Sequence, residues 1–96
     1  MQKRIGVIGI VIEDRSKVAS ELNDILSKFG DIIIGRMGVP SQELDLSTIA
    51  LIVEGSSDDV GSMTGKIGNL TGVTLKSALT SKVVERGEKD AGDAKR

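Results

Sequence analysis

The apolar residues of this chain change their spacing in a regular order, and that order constrains the fold more than any other feature. The segment 4–12 is rich in β-branched residues and bounded by charges, which predicts a buried strand. After a charged turn, apolar residues recur at intervals of three and four, which predicts an amphipathic helix that ends at Gly30. The apolar stripe of this helix consists of Val18, Leu22, Ile25, Leu26 and Phe29.

The same elements recur in the second half of the chain. Further strands are predicted at 32–39, 48–54 and 73–79. A second helix, with Ser56 as its expected N-cap, precedes the last strand. Its buried stripe is Val60, Met63, Ile67 and Leu70. This order predicts an α+β fold, the ferredoxin-like βαββαβ sandwich, with a four-stranded antiparallel sheet of order 4-1-3-2 and both helices on one face.

The length of 96 residues fits one domain, which we place at residues 1–79. Residues 80–96 have mixed charge and no periodicity, which predicts a disordered tail. No apolar run reaches the roughly 18 residues of a membrane-spanning helix. The segment after Lys3 and Arg4 has the character of a strand rather than of a signal peptide. We therefore expect a cytoplasmic protein without membrane contact.

Composition excludes several function classes. The chain has no cysteine and no histidine, so it lacks the thiol nucleophile, the commonest general base and the commonest nitrogen ligand for metals. We expect no cofactor, no metal site and no enzymatic activity. The 13 basic and 14 acidic residues form no basic footprint, and Phe29 is the one aromatic residue. Since base stacking on a sheet needs aromatic side chains, direct nucleic-acid binding is not expected.

Alternation along the strands predicts an apolar sheet face on the side away from the helices. The predicted outward residues are Val7, Gly9, Val11, Ile32, Ile34, Arg36, Ala50 and Ile52. A monomer seldom leaves such a patch in water, so we expect self-association, as a homodimer or homotetramer. The alternative is a shallow sheet that the tail or the long loop partly covers.

The segment Gly35–Pro40 contains an arginine within an otherwise apolar strand. Burying a charge without a partner is costly, so Arg36 is expected at a contact or a site. We place Arg36 outward near the rim of the sheet, where Glu54 or an acidic group of a neighbouring subunit would pair with it. Gly38 leaves room for a ligand or a neighbouring chain, and Pro40 ends the strand at a sheet edge.

Two further segments are candidate sites. Glu13, Asp14 and Arg15 form the turn into the first helix, where backbone N–H groups favour an anion; the alternative is a capped, solvated turn. The run Gly65–Gly68 lacks the spacing of a phosphate-binding loop. Its glycines are expected instead to let the second helix approach the sheet closely.

Taken together, these segments resemble the family of putative iron-only hydrogenase system regulators. The resemblance rests on the segments 11–15, 33–40, 49–53, 65–68 and 72–76, and it covers about residues 3–79. Members of this family resemble the ACT-like regulatory domain and the C-terminal domain of the nickel-responsive repressor. The repressor's nickel site needs histidine and cysteine, which this chain lacks.

The resemblance implies a homo-oligomeric module that senses a small effector between subunits and is linked to hydrogenase maturation or regulation, and it implies no catalysis. In this hypothesis Glu13, Asp14, Arg15, Arg36 and Gly38 line an intersubunit pocket, and Arg36 binds an anionic group of the ligand. The alternative hypothesis is a non-catalytic structural protein whose apolar sheet face binds a partner.

Overall fold

The order of elements is the one that the apolar pattern predicts. A computed structural model describes residues 2–13, 16–41 and 43–85. The elements are β1 (Gln2–Glu13), α1 (Ser16–Lys28), β2 (Ile33–Ser41), β3 (Leu46–Gly55), α2 (Ser57–Gly68) and β4 (Val73–Glu85). The strands form one antiparallel sheet of order β2-β3-β1-β4, which confirms the predicted βαββαβ fold and the order 4-1-3-2.

The core lies between one face of the sheet and the two helices. Alternate residues of the central strands are fully buried there, among them Ile8 and Ile10 of β1 and Leu51 and Val53 of β3. The helices contribute side chains from the predicted stripes. These buried helical residues are Val18, Leu22, Leu26, Val60, Met63 and Ile67. Burying a side chain of this size contributes about 1.5–3 kcal/mol relative to exposure, so this layer is the main source of stability.

A 3₁₀ turn, Gly30–Ile32, connects α1 to β2. Among the described glycines, only Gly72 has a positive φ. Gly30 therefore does not adopt the left-handed conformation that is typical of a glycine at a helix C-terminus. Ile32 belongs to this turn and packs into the core with 7% of its surface exposed. The prediction that Ile32 lies on the outward sheet face is therefore wrong.

Helix α2 begins as predicted. The Ser56 side chain accepts a hydrogen bond of 3.0 Å from the backbone N–H of Asp59, and Asp58 and Asp59 occupy the first turn. The prediction for the glycines of this helix is wrong. A Cβ added at Gly65 or Gly68 would meet no atom within 4 Å, so neither glycine mediates a close approach to the sheet.

Strand β2 contains a bulge that changes which residues face the helices. Ile33 is opposite Val53 and Gly35 is opposite Ile52, so Ile34 is an extra residue in the pairing with β3. One extra residue reverses the alternation of every later residue in the strand. Arg36 and Gly38, opposite Leu51 and Ile49, consequently face the helices. The predicted outward position of Arg36 is therefore wrong, and its side chain bonds to Asn23 on the helix side.

The open face, by which we mean the sheet face away from the helices, is apolar over its centre. Its members from the central strands agree with the prediction: Val7, Gly9, Val11, Ala50 and Ile52. On β2, exposed Ile34 is retained, and the bulge adds Met37 and Val39, which are 63% and 55% exposed, to this face. Without the bulge, regular alternation along β2 would have turned these two residues toward the helices. Glu54 lies opposite Ile5 and is only 7% exposed.

Strand β4 is longer than predicted. It continues past Leu79 to Glu85 and pairs with β1 beyond an irregularity between Arg4 and Gly6. At this irregularity the Thr80 hydroxyl donates to the Ile5 carbonyl oxygen at 3.1 Å, and Arg4 donates to the Thr80 carbonyl oxygen at 3.2 Å. The rest of the predicted tail, residues 86–96, lies outside the described residues. Neither described helix is long and apolar enough to cross a membrane.

Candidate functional site

A cavity of about 220 Å³ opens between helix α1 and the adjoining ends of β2 and β3. Three side chains on one side of α1 line it, namely Ala19, Leu22 and Asn23. From the sheet it is lined by Ile12, Arg36, Gly38, Val39, Pro40, Ser47, Thr48 and Ile49. We call this space the α1–β2 cavity. It lies on the helix side of the sheet and next to an edge strand.

Two small residues account for the empty space. Gly38 faces the helices from β2, and a Cβ added there would have Ile49 Cγ1 as its nearest neighbour, at 3.9 Å. Ala19 lines the cavity from α1 and is only partly buried. Larger side chains at these two positions would extend the core to the sheet edge. The cavity therefore results from local sequence and not from poor packing of the core itself.

Arg36 and Asn23 meet at this cavity. The Arg36 Nη2 donates a hydrogen bond of 2.8 Å to Asn23 Oδ1, which connects β2 to α1. Both side chains are exposed, and the groove is open to solvent. Arg36 reaches the helix only because the bulge at Ile34 turned it to this face.

The polar groups of the cavity are mainly hydrogen-bond donors. Among the described residues that line it, Arg36 is the one with a charge, and none is an aspartate or glutamate. The guanidinium has five N–H groups, and Asn23 keeps two N–H groups because its oxygen accepts from Arg36. The Ser47 residue lies opposite Ile12 on the same face and adds a hydroxyl. Such a site is suited to bind an anionic acceptor.

The structure brings together only part of the predicted ligand set. Arg36 and Gly38 both line the α1–β2 cavity. Glu13 is at the end of β1, where it lines a different cavity of about 410 Å³ with Val11, Leu46, Gly72, Val73 and Thr74. Asp14 and Arg15 lie outside the described residues, so their part in a site stays a prediction. Among the described residues, no three side chains of the His, Cys, Asp or Glu type cluster as metal ligands.

The Glu13 cavity lies beside a turn that contains Gly72. The Glu13 backbone N–H donates to the Gly72 carbonyl oxygen at 3.0 Å, and its side chain packs beside Gly72. Gly72 has a φ of +84°, a conformation that residues with a side chain rarely adopt. This end of the sheet is therefore organised by a structural turn.

Asn23 is a site residue that the sequence analysis did not identify. It lies on the polar side of the apolar stripe, next to Leu22, and an asparagine in such a position is ordinarily solvated. The one indication of its importance is its partner, because Asn23 Oδ1 accepts a hydrogen bond from Arg36. Without the bulge in β2, however, that arginine is predicted on the opposite face.

Comparison with known proteins identifies relatives over most of the chain. A family profile called TM1266-like, with the description "Iron-only hydrogenase system regulator, putative", matches residues 4–77. The solved structure of TM1266 from Thermotoga maritima superimposes with a TM-score of 0.80 at 33% identity, and the match covers 82% of this chain and 99% of that chain. No curated protein sequence matches the chain.

More distant structures share the fold alone. The ACT domain of a GTP pyrophosphokinase from Chlorobium tepidum gives a TM-score of 0.67 at 20% identity, covering 79% of this chain and 99% of that chain. A PII-like signaling protein from Thermus thermophilus gives 0.59 at 18% identity, covering 92% of this chain and 96% of that one.

Proposed function

The chain belongs to the TM1266-like family, and from this membership we propose that it is a regulatory, ACT-like module that senses a small effector. The observation that carries the proposal is the α1–β2 cavity, in which Arg36 and Asn23 present donors beside an apolar wall. The module acts without catalysis: its response to the ligand is a change in shape or assembly that a partner of the hydrogenase system detects.

Self-association is the second part of this proposal. The open face exposes Val7, Met37, Val39 and Ile52 to about half or more of their surface. Monomeric proteins rarely expose apolar patches of this kind, and such patches usually mark interaction sites. A second copy of the chain, packed face to face, would bury them, and the product is a homodimer or, through a further contact, a homotetramer.

A melting experiment with a ligand panel tests effector sensing. A ligand that binds only the folded state raises the melting temperature, by an amount that grows with its concentration. The chain has no tryptophan and no tyrosine, so circular dichroism is a better probe of unfolding than intrinsic fluorescence. We expect at least one small anion from a panel of organic acids, nucleotides and phosphates to raise the melting temperature. A panel that leaves it unmoved contradicts effector sensing.

The second candidate function is that of a structural interaction protein, and the apolar open face is the observation that favours it. The two functions differ in their response to the ligand panel. The structural function requires no ligand, so it is favoured if the melting temperature does not move while the chain binds a partner through the open face. Sedimentation at micromolar concentration then distinguishes the occupants: a monomer excludes self-association and leaves a different protein as the partner.

A further inference from the structure

The donors of the α1–β2 cavity restrict the chemistry of its ligand. Asn23 Oδ1 accepts from Arg36 Nη2, so the amide oxygen is already engaged and the amide N–H groups are available to an acceptor. A carboxylate has only acceptor atoms, and its two oxygens match the fork of a guanidinium. Among the described residues of the lining, Arg36 carries the one positive charge, and it balances a single negative charge on the ligand. A phosphate dianion would leave excess charge next to an apolar wall.

The apolar wall restricts the rest of the ligand. Leu22, Ile12 and Ile49 line the inner part of the cavity and are largely buried, while Val39 and Pro40 line its outer part. Because liquid water occupies about 30 Å³ per molecule, a volume of 220 Å³ corresponds to about seven waters. A short branched hydrocarbon body fills this space and displaces water from apolar surface, which is favourable.

The charge distribution also argues against an amino group on the ligand. The ammonium of an amino acid lies next to its carboxylate, and here it would approach the Arg36 guanidinium. No described residue of the lining carries a negative charge to offset this repulsion or the lost hydration of the ammonium. An amino acid would therefore bind more weakly than the same carbon skeleton without nitrogen.

We propose that the α1–β2 cavity binds a short, branched aliphatic monocarboxylate, with its carboxylate on Arg36 and Asn23 and its hydrocarbon body against Leu22 and Ile49. The inference rests on the proposed function, since it names the ligand class of the same site. The carboxylate joins the existing contact between β2 and α1 and adds a second link between the two elements. The empty space beside Ala19 and Gly38 accommodates the hydrocarbon body.

A matched series of probes tests this ligand class. Isovalerate carries the carboxylate, isovaleramide replaces it with a neutral group of nearly the same shape, and valine adds an ammonium to the same skeleton. Binding is measured with isotope-labelled protein by two-dimensional NMR, in which the side-chain amide of Asn23 reports directly on the site. Asn69, at the end of α2, is the internal control. Inorganic phosphate serves as the fourth probe.

The expected result is that isovalerate shifts the Asn23 resonances and binds at least about tenfold more tightly than isovaleramide or valine, since hydrogen bonds to a charged group are the stronger ones. Arg36→Gln should weaken isovalerate binding by a similar factor. Lys66→Gln, which removes the same charge from an exposed position on α2, should change it less than about twofold. Gly38→Val, which fills the cavity, should abolish binding in a folded protein.

Several results would overturn the inference. If valine or phosphate binds more tightly than isovalerate, the ligand class is wrong, while effector sensing at this site stands. If isovalerate binds equally to the wild type and to Arg36→Gln, the carboxylate does not use Arg36 and the assigned geometry fails. If none of the four probes shifts Asn23, the cavity is not a site for small anions. Effector sensing as such is then decided by the wider melting panel.

Discussion

Arg36 donates a 2.8 Å hydrogen bond from Nη2 to Asn23 Oδ1, and this bond joins the edge strand β2 to helix α1 beside an open cavity. The two residues are thirteen positions apart in sequence and lie on different elements. Their contact depends on the bulge at Ile34, which turns Arg36 toward the helices.

Replacing Asn23 with aspartate should convert the hydrogen bond into an ion pair. Because both groups are exposed, the gain in unfolding free energy should be at most about 1 kcal/mol and should fall with added salt. The new carboxylate should also occupy Arg36 and suppress anion binding. Urea unfolding followed by circular dichroism measures the first effect. Ser20→Asp, which adds the same charge elsewhere on α1, is the control and should not respond to salt in the same way.

The open face should control assembly. Ile52→Lys places a charge at the centre of this face, where the wild-type side chain is 46% exposed, so the monomer should keep its fold. Sedimentation velocity should show a shift from oligomer to monomer at the same protein concentration. Leu44→Lys is the matched control, because Leu44 is 66% exposed in the turn between β2 and β3. Equal dissociation by both variants would argue against the open face as the interface.

Gly6 should tolerate no side chain. A Cβ at this position would lie 2.7 Å from the carbonyl oxygen of Ala78, and backbone cannot move aside as a flexible side chain can. Gly6→Ala should therefore lower the free energy of unfolding by about 1–3 kcal/mol, the usual range for overpacking. At Gly9, on the same strand, the nearest atom to an added Cβ is the Lys76 oxygen at 4.0 Å. Gly9→Ala should be close to neutral, and a comparable loss there would contradict the explanation.

Gly65 should accept alanine with a gain in stability. It lies inside α2 on the exposed side with nothing within 4 Å of an added Cβ, so its only effect is a lower helix propensity. Gly65→Ala should raise the free energy of unfolding by about 1 kcal/mol. Gly55→Ala provides the opposite case, because its Cβ would lie 2.8 Å from Ile32 Cγ2 in the core. Thermal melts of the two variants should move in opposite directions.

The N-cap of α2 should contribute measurably to stability. Ser56→Ala removes the acceptor for the Asp59 N–H and should lower the free energy of unfolding by about 1 kcal/mol. Ser57→Ala changes the adjacent exposed serine, which is the first residue of the helix, and should have little effect. Ser56→Asp should restore most of the loss, since aspartate also caps a helix and suits the N-terminal end of its dipole.

The fold was predictable because the hydrophobic periodicity is strong in every element. The stripe of α1 and the alternation of β1 and β3 identify the core residues correctly, since regular geometry maps position in sequence directly to a face. The TM1266-like family was also identifiable from the combined segments. These features depend on regular helix and strand geometry, which the spacing of apolar residues in the sequence reflects.

The candidate site was less predictable, because it depends on an irregularity. The extra residue of the bulge, Ile34, is neither glycine nor proline, so the sequence contains no local signal for the bulge. The bulge reverses the face of Arg36, Met37 and Val39. Its charge made Arg36 a candidate site residue, and it lines the α1–β2 cavity, but it was assigned to the wrong side of the sheet. Asn23 was missed because its importance comes only from the partner that the bulge supplies.

The bulge has a mechanical consequence for the proposed regulator. After it, Arg36 and Gly38 of one short strand line the cavity, whereas Met37, between them, is exposed on the open face. A rigid strand cannot shift or twist at one of these surfaces without displacing the other. A ligand that draws Arg36 toward α1 would therefore move the side chains against which a second subunit packs. The same backbone segment carries both surfaces, so the effect does not have to pass through the core.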